Sequence, residues 1–340
     1  MGIVAVLFIA LTLVFIQNYE VHRVNVCAVG DILLYRGVRD RLIENGYDYP
    51  YERVKHILKK ADIAFGNLEC PLTDGGSPVL KRRDLIFKGD PDNACALKKA
   101  GFDVLNLANN HTMDYGRGGL VSTLNLLQAL KIRVVGACLN PELARKPVFV
   151  CRHGSTIGFI GYTVFPPEGY IYSEDKPDVA RVDEERMRKE IGDARKHCDF
   201  LVISFHWGKE YEFFASENQK KLAHAAVDSS ASLVIGHHPH VLQGIEQYKG
   251  KLIFYSLGNF VFDKQIQKGT DETVILNLKV VNNRWEEAEL IPIKIVNCQP
   301  RIATGSDGEH ILKRLQMYSQ GMNADILIKN GRGYLTNSDD

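Results

Sequence analysis

Short apolar runs alternate with amphipathic stretches of helical length along this 340-residue chain, and clusters of chemically capable side chains fall just past the ends of the apolar runs. The runs at 24–29, 63–65, 104–107, 133–135, 156–162, 200–205, 233–235 and 252–255 predict strands, since short apolar runs bounded by turn residues suit buried strands. Helices are predicted at 51–60, 93–100, 120–130, 184–196 and 217–227. This rhythm argues for an α/β fold with a mostly parallel sheet, in which ligands gather beyond the carboxyl ends of the strands. Residues 273–280 and 286–295 predict an antiparallel pair across Asn282-Asn283 that closes the sheet, and 312–318 a final short helix; the tail from Met322 is weakly patterned.

The formal net charge is +1, with acids and bases interleaved, which excludes a nucleic-acid groove but allows a substrate held by a few placed cations. Residues 2–16 form an uncharged apolar run followed by Gln17-Asn18-Tyr19-Glu20. It is shorter than the roughly 20 residues that span a bilayer comfortably. The expectation is an N-terminal anchor at 1–20 holding an extracytoplasmic body at the cell membrane, with a cleaved signal and secretion as the alternative. The body is expected at 21–300 and a C-terminal helix and tail at 301–340. The seven cysteines are odd in number and include no Cys-x-x-Cys pair, so neither a zinc knuckle nor a disulfide framework is indicated.

The polar clusters carry the chemistry. Asp31 follows Gly30 at a strand end, where the backbone can turn sharply and present a carboxylate. Glu69 ends Gly66-Asn67-Leu68-Glu69, and Asn109-Asn110-His111 follows the third run. His206 follows another, and Gly236-His237-His238-Pro239-His240 a further one. In extended backbone His238 and His240 point the same way, and Pro239 stiffens that extension. Asp31, Glu69, Asn110, His206, His238 and His240 are therefore candidate ligands for one or two divalent ions, with manganese, iron or zinc suited to such oxygen and nitrogen donors. A pair of ions about 3.5 to 4 Å apart would clamp an anionic group and make hydroxide available near neutral pH. His111 is the candidate leaving-group acid; Asp114 either orients an imidazole or serves a turn before Tyr115-Gly116. Candidate substrate contacts are Asn67, Asn259 and the cations Lys81, Arg82, Arg83 and Lys88, which either bind phosphate or carboxylate groups or form a solvated face. Trp207 and Tyr211 either wall the pocket or pack.

These motifs, with Ser256-Leu257-Gly258-Asn259-Phe260 and His206-Trp207-Gly208-Lys209-Glu210-Tyr211, resemble in order the motif set of the bacterial CapA-type capsule (poly-γ-glutamate) synthesis proteins, from about Val24 to Val280. That family is similar in fold to calcineurin-like metallophosphoesterases. The resemblance implies a layered α/β sandwich, a two-metal site, and a membrane-anchored protein acting on an anionic surface polymer or phosphoester alongside polymer-synthesis membrane proteins. A metal-dependent hydrolase using metal-activated water is expected, with a non-catalytic accessory protein as the alternative. Two departures bear on this. Metallophosphoesterases usually carry Asp-x-His in the first motif, whereas here Leu33 takes the His position, and Glu69 stands where they use a bridging Asp. Occupancy by one metal is therefore also expected as an alternative, and His237 has no assigned role.

Overall fold

Side-chain alternation along each strand sets the layers. Val24, Val26 and Ala28 face the same apolar core as Ile157, Phe159, Phe200, Val202, Leu233, Ile235, Leu252 and Phe254. Their neighbours Cys27 and Val29, and Ile160, Leu201 and Ile203, face two separate outer cores. Two sheets thus pack face to face with helices outside both, the layered α/β sandwich that the resemblance implied. The computed structural model describes residues 21–166, 168–169 and 178–337, so the anchor expected at 1–20 lies outside the described residues. Among the described residues no helix is long and apolar enough to cross a membrane.

The expected single sheet is two mixed sheets. In the first, Arg23–Ile32, Ile63–Leu68, Val104–Asn106 and Arg133–Val135 run parallel in that order. On the other side of Arg23–Ile32, the antiparallel pair Glu272–Val281 and Arg284–Val296 continues the sheet. The second sheet is ordered Ile245–Tyr248, Lys251–Phe254, Leu233–His237, Phe200–His206, Ser155–Thr163, Val148–Arg152. Apolar runs buried on both faces show where strands lie but not which sheet each joins.

Helices Gly37–Asn45, Lys55–Leu58, Asn93–Ala100 and Gly116–Ala129 cover the first sheet, and Glu184–Arg195 and Glu217–Asp228 the second. The last of these starts in a capping box between Ser216 and Gln219. The helix expected at 51–60 is divided into a 3-10 turn, Tyr49–Tyr51, and one short turn of α-helix, because Pro50 opens the first and Tyr51 is anchored edge-on against Phe102. Gly37–Asn45 went unanticipated because only Val38 and Leu42 of it are buried. Beyond residue 300 the chain stays in the same body. Gly305–Tyr318 inserts Ile311, Leu312 and Leu315 into the inner core, and Leu327–Lys329 and Arg332–Thr336 extend the first sheet.

Phe65 and Phe159 stack across the two sheets, centroids 5.5 Å apart and planes 14° from parallel. Phe65→Ala is expected to cost about 3 to 5 kcal/mol in urea unfolding, as large-to-small changes in closed cores do. A loss below about 1 kcal/mol would contradict this packing of the sheets.

Candidate metal centre

Two glycines let backbones approach where the two sheets end. A Cβ on Gly30 would lie 1.9 Å from the Gly258 carbonyl oxygen, and the next amide, Asp31 N, donates to that oxygen at 2.9 Å. Gly30 is thus needed for close approach within a continuing strand, not for the sharp turn expected there. Gly236 has the same role, its Cβ position lying 2.0 Å from Tyr255 O.

The first sheet contributes Asp31, Glu69 and Asn110, the second His206, His237, His238 and His240, all buried. His206 Nε2 lies 2.9 Å from Asn110 Oδ1, 3.1 Å from His238 Nδ1 and 3.6 Å from Glu69 Oε1. His240 Nδ1 lies 2.9 Å from Asn259 Oδ1 and 3.3 Å from Asp31 Oδ2, and its Nε2 is 3.8 Å from Glu69 Oε1. The six candidate ligands are therefore brought together, though not as expected for the histidines. His238 and His240 have φ 96 and 58, so the segment is a tight left-handed bend and not an extension. The bend aims His238 N at Asp31 Oδ2, 3.2 Å away, and sends the His238 ring to His206 and the His240 ring to Asp31. Such backbone in non-glycine residues costs roughly 1 to 3 kcal/mol each and concentrates at functional sites.

Electrostatics separate these groups. Burial, reinforced by Asp31, drives the Glu69 carboxyl well above the usual carboxylate range. Burial would also raise Asp31, but close contacts with His237 and His240 hold it well below. Burial and then His238 depress His206, and burial and then His240 bring His238 down to about 3. For His240 burial is outweighed by Glu69 and Asp31, which raise it to about 9. At neutral pH His206 and His238 are thus neutral, the form that ligates metal, while a proton on His240 answers the carboxylates. Both Glu69 oxygens are buried without a hydrogen-bond partner, a costly state that a cation relieves. Ligand atoms of Glu69, His238 and His240 lie within 4.8 Å of one another and could hold a metal ion. The donor set fits a divalent cation. Leu33 belongs to the apolar cluster under the first sheet's helices, so Asp31 gains no imidazole from that position.

His111 Nδ1 lies 2.9 Å from Asp114 Oδ2, its ring stacks on Phe87 at 3.9 Å, and burial lowers its pKa against the raising contact with Asp114. Among the four candidate cations, Lys81 reaches inward, 2.6 Å from Asp114 Oδ1 and 3.4 Å from His111 Nδ1. Arg82 and Arg83 are exposed, the former paired with Asp84, and Lys88 lies over the Tyr115 ring.

Other candidate substrate contacts are spent on support. Asn67 donates to Asp31 Oδ1 at 2.9 Å while its own oxygen accepts from Asn106 and Asn109 at 2.9 and 3.3 Å. Asn259 orients His240, and its amide donates to Thr270 O at 2.9 Å. Trp207 is fully buried, stacked on Phe205 and bonded to Tyr255 O, so it packs beneath the rim. Tyr211 lies 6.3 Å from His240, ring to ring. Sequence reasoning gave no role to His237, whose Nδ1 lies 3.3 Å from Asp31 Oδ1, and missed Asn106, which donates to Asn67.

The opposite shifts of two histidines give a pH test in chelated protein. Because His238 is lowered from 6.5 to about 3, the unfolded chain binds a proton that the folded chain does not, and stability falls as pH drops from 6.5 toward 3. Because His240 is raised to about 9, its contribution is complete below 6.5 and lost as pH rises through 9. Urea titrations should show His238→Asn flattening the acid limb and His240→Asn the alkaline limb. An unaltered alkaline limb in His240→Asn would contradict the charge assignment.

Comparison with known proteins places this chain in a family. The bacterial capsule synthesis protein family PGA_cap matches residues 25–264, a span containing all six candidate ligands. The PGA biosynthesis protein CapA of Bacillus subtilis (strain 168) is 33% identical over 286 residues, covering 84% of this chain and 75% of that protein. The capsule biosynthesis protein CapA of Bacillus anthracis is 31% identical over 307 residues, covering 88% and 74%. Among solved structures, NAD nucleotidase from Haemophilus influenzae is similar at a TM-score of 0.49 and 15% identity over 88% of this chain and 63% of that one. The chain belongs to the bacterial capsule synthesis protein family PGA_cap.

Proposed function

We propose that this protein is a metal-dependent hydrolase serving the synthesis of an anionic surface polymer, acting on a γ-glutamyl amide or a phosphoester. The observation that carries the reading is the His111–Asp114–Lys81 assembly at the edge of the Glu69, His206, His238 and Asn110 cluster, since a binding site alone has no use for a positioned acid. The names of the two Bacillus relatives, which refer to PGA and capsule biosynthesis, support the polymer context.

Glu69, Asn110, His206 and His238 would hold one ion, and Asp31, His240 and Glu69 a second. A bound divalent ion would polarise the scissile group and lower the pKa of water. The chain's own residues do the rest. Asn67 fixes Asp31, Asn259 fixes His240, and Asp114 accepts the His111 Nδ1–H, so that the ring in its imidazolium form gives its Nε2 proton to the leaving group and is left neutral. Residues 1–20 would anchor the body outside the cytoplasm beside membrane proteins of polymer synthesis.

Leu33 favours a second reading, a non-catalytic accessory protein that binds metal or polymer without turnover, because a weakened second site undermines two-metal chemistry. Turnover decides between them. Manganese-supplied protein should cleave poly-γ-glutamate or a generic phosphodiester and stop on chelation. His111→Ala should keep its metal and lose about 10²- to 10⁴-fold in kcat. Full activity in His111→Ala would remove His111 from the acid role, and no turnover by metal-loaded protein would favour the accessory reading.

A further inference from the structure

Tyr35, Arg36, Gly37 and Val38 form a tight turn closed by Val38 N donating to Tyr35 O at 3.1 Å. Arg36 occupies the first central position with φ 52 and ψ −133. That is type II′ geometry, in which glycine is the ordinary occupant. The glycine of this turn, Gly37, stands one residue later. An arginine in that conformation strains the backbone, and such strain concentrates at functional sites.

The guanidinium is held rigidly. Nη2 donates to Asp263 Oδ1 at 2.6 Å, and Cζ lies 4.9 Å from the Phe87 ring centroid and 5.4 Å from that of Phe262. Those rings pack on the centre itself, Phe87 on His111 at 3.9 Å and Phe262 on His240 at 4.8 Å. Arg36 therefore bridges the aromatic cover of the candidate acid and that of a candidate ligand. Among the described residues the hydrogen bonding of its guanidinium is confined to Asp263, which leaves most of its five N–H donors unused. Nε is buried without a partner, while the side chain keeps 28% of its exposure. Lys81 is not a competitor, because its ammonium already serves Asp114 and lies 3.5 Å from Glu168. A planar fork with unused donors fits an oxyanion.

We propose that Arg36 is the anion-recognition residue of this centre, and that the substrate carries a carboxylate or phosphate oxyanion next to the bond that reacts. The inference rests on the hydrolase reading and sharpens its substrate class. In a γ-linked glutamate polymer the carbon bonded to each amide nitrogen bears a free carboxylate, which would place such a group beside the scissile bond.

The test uses manganese-loaded full chain, with inorganic phosphate and a γ-linked glutamate oligomer as calorimetric probes and metal content measured on the same samples. Arg36→Gln should weaken binding of the preferred probe about 10- to 100-fold, the worth of a charged hydrogen bond, with metal unchanged. Arg36→Lys should recover only part of it. Arg36→Gly, which suits the turn, should unfold at or above the parent temperature yet lose the same affinity, so a folding defect cannot imitate the result. The tighter probe tells a phosphoester from a polymer carboxylate. The proposal fails if Arg36→Gln or Arg36→Gly binds both probes as the parent does, or if either loses its metal. A metal-loaded parent that binds neither probe overturns it while sparing the metal site; a parent that takes up no metal overturns the hydrolase reading as well.

Discussion

Two buried carboxylates, Asp31 and Glu69, face four buried imidazoles across the seam between the two sheets, and the positive charge those carboxylates demand is the constraint on which this rim depends. One sheet supplies the negative charge and amides, the other the histidines. Neither set is tolerable alone, because a buried carboxylate without a partner is driven to protonate and a buried imidazole to remain neutral. Without a cation the proton on His240 must answer both acids, and the two Glu69 oxygens still find no donor. The rim is arranged around positive charge that the side chains themselves barely supply.

That arrangement accounts for local backbone that packing does not explain. His238, His240 and Arg36 all adopt positive φ, and Gly30 and Gly236 allow backbones to meet where a methyl group would collide. Below the rim, the stacked Phe65 and Phe159 and the two helical layers form a rigid platform. Strain at the rim is borne because the core beneath it is closed.

Much of this was legible in the chain. Hydrophobic runs ending in polar motifs located most strands and placed Asp31, Glu69, Asn110, His206, His238 and His240 at strand ends, because burial on both faces makes core strands uniformly apolar. Periodicity could not divide the strands between two sheets, nor show that the weakly patterned tail adds a hairpin to the first. Gly30 looked like a turn residue because the Gly258 carbonyl that crowds it comes from a distant part of the chain. The sequence left Trp207 between walling the pocket and packing, and it packs, because alternation sends it and its neighbour His206 in opposite directions. Arg36 lies in no polar cluster, and only its turn geometry and its two aromatic partners mark it.

Leu33 divides the centre unequally. Asn110, His206, His238 and Glu69 converge closely, while Leu33 packs in the apolar cluster and offers Asp31 and His240 no further imidazole. The most direct test is elemental analysis of chain from Val21 onward, reconstituted with manganese, iron or zinc and then dialysed against metal-free buffer. One equivalent per chain is expected to survive the dialysis, with a second present only before it, while metal is in excess. No retained metal under any of the three ions would contradict a metal centre at this seam.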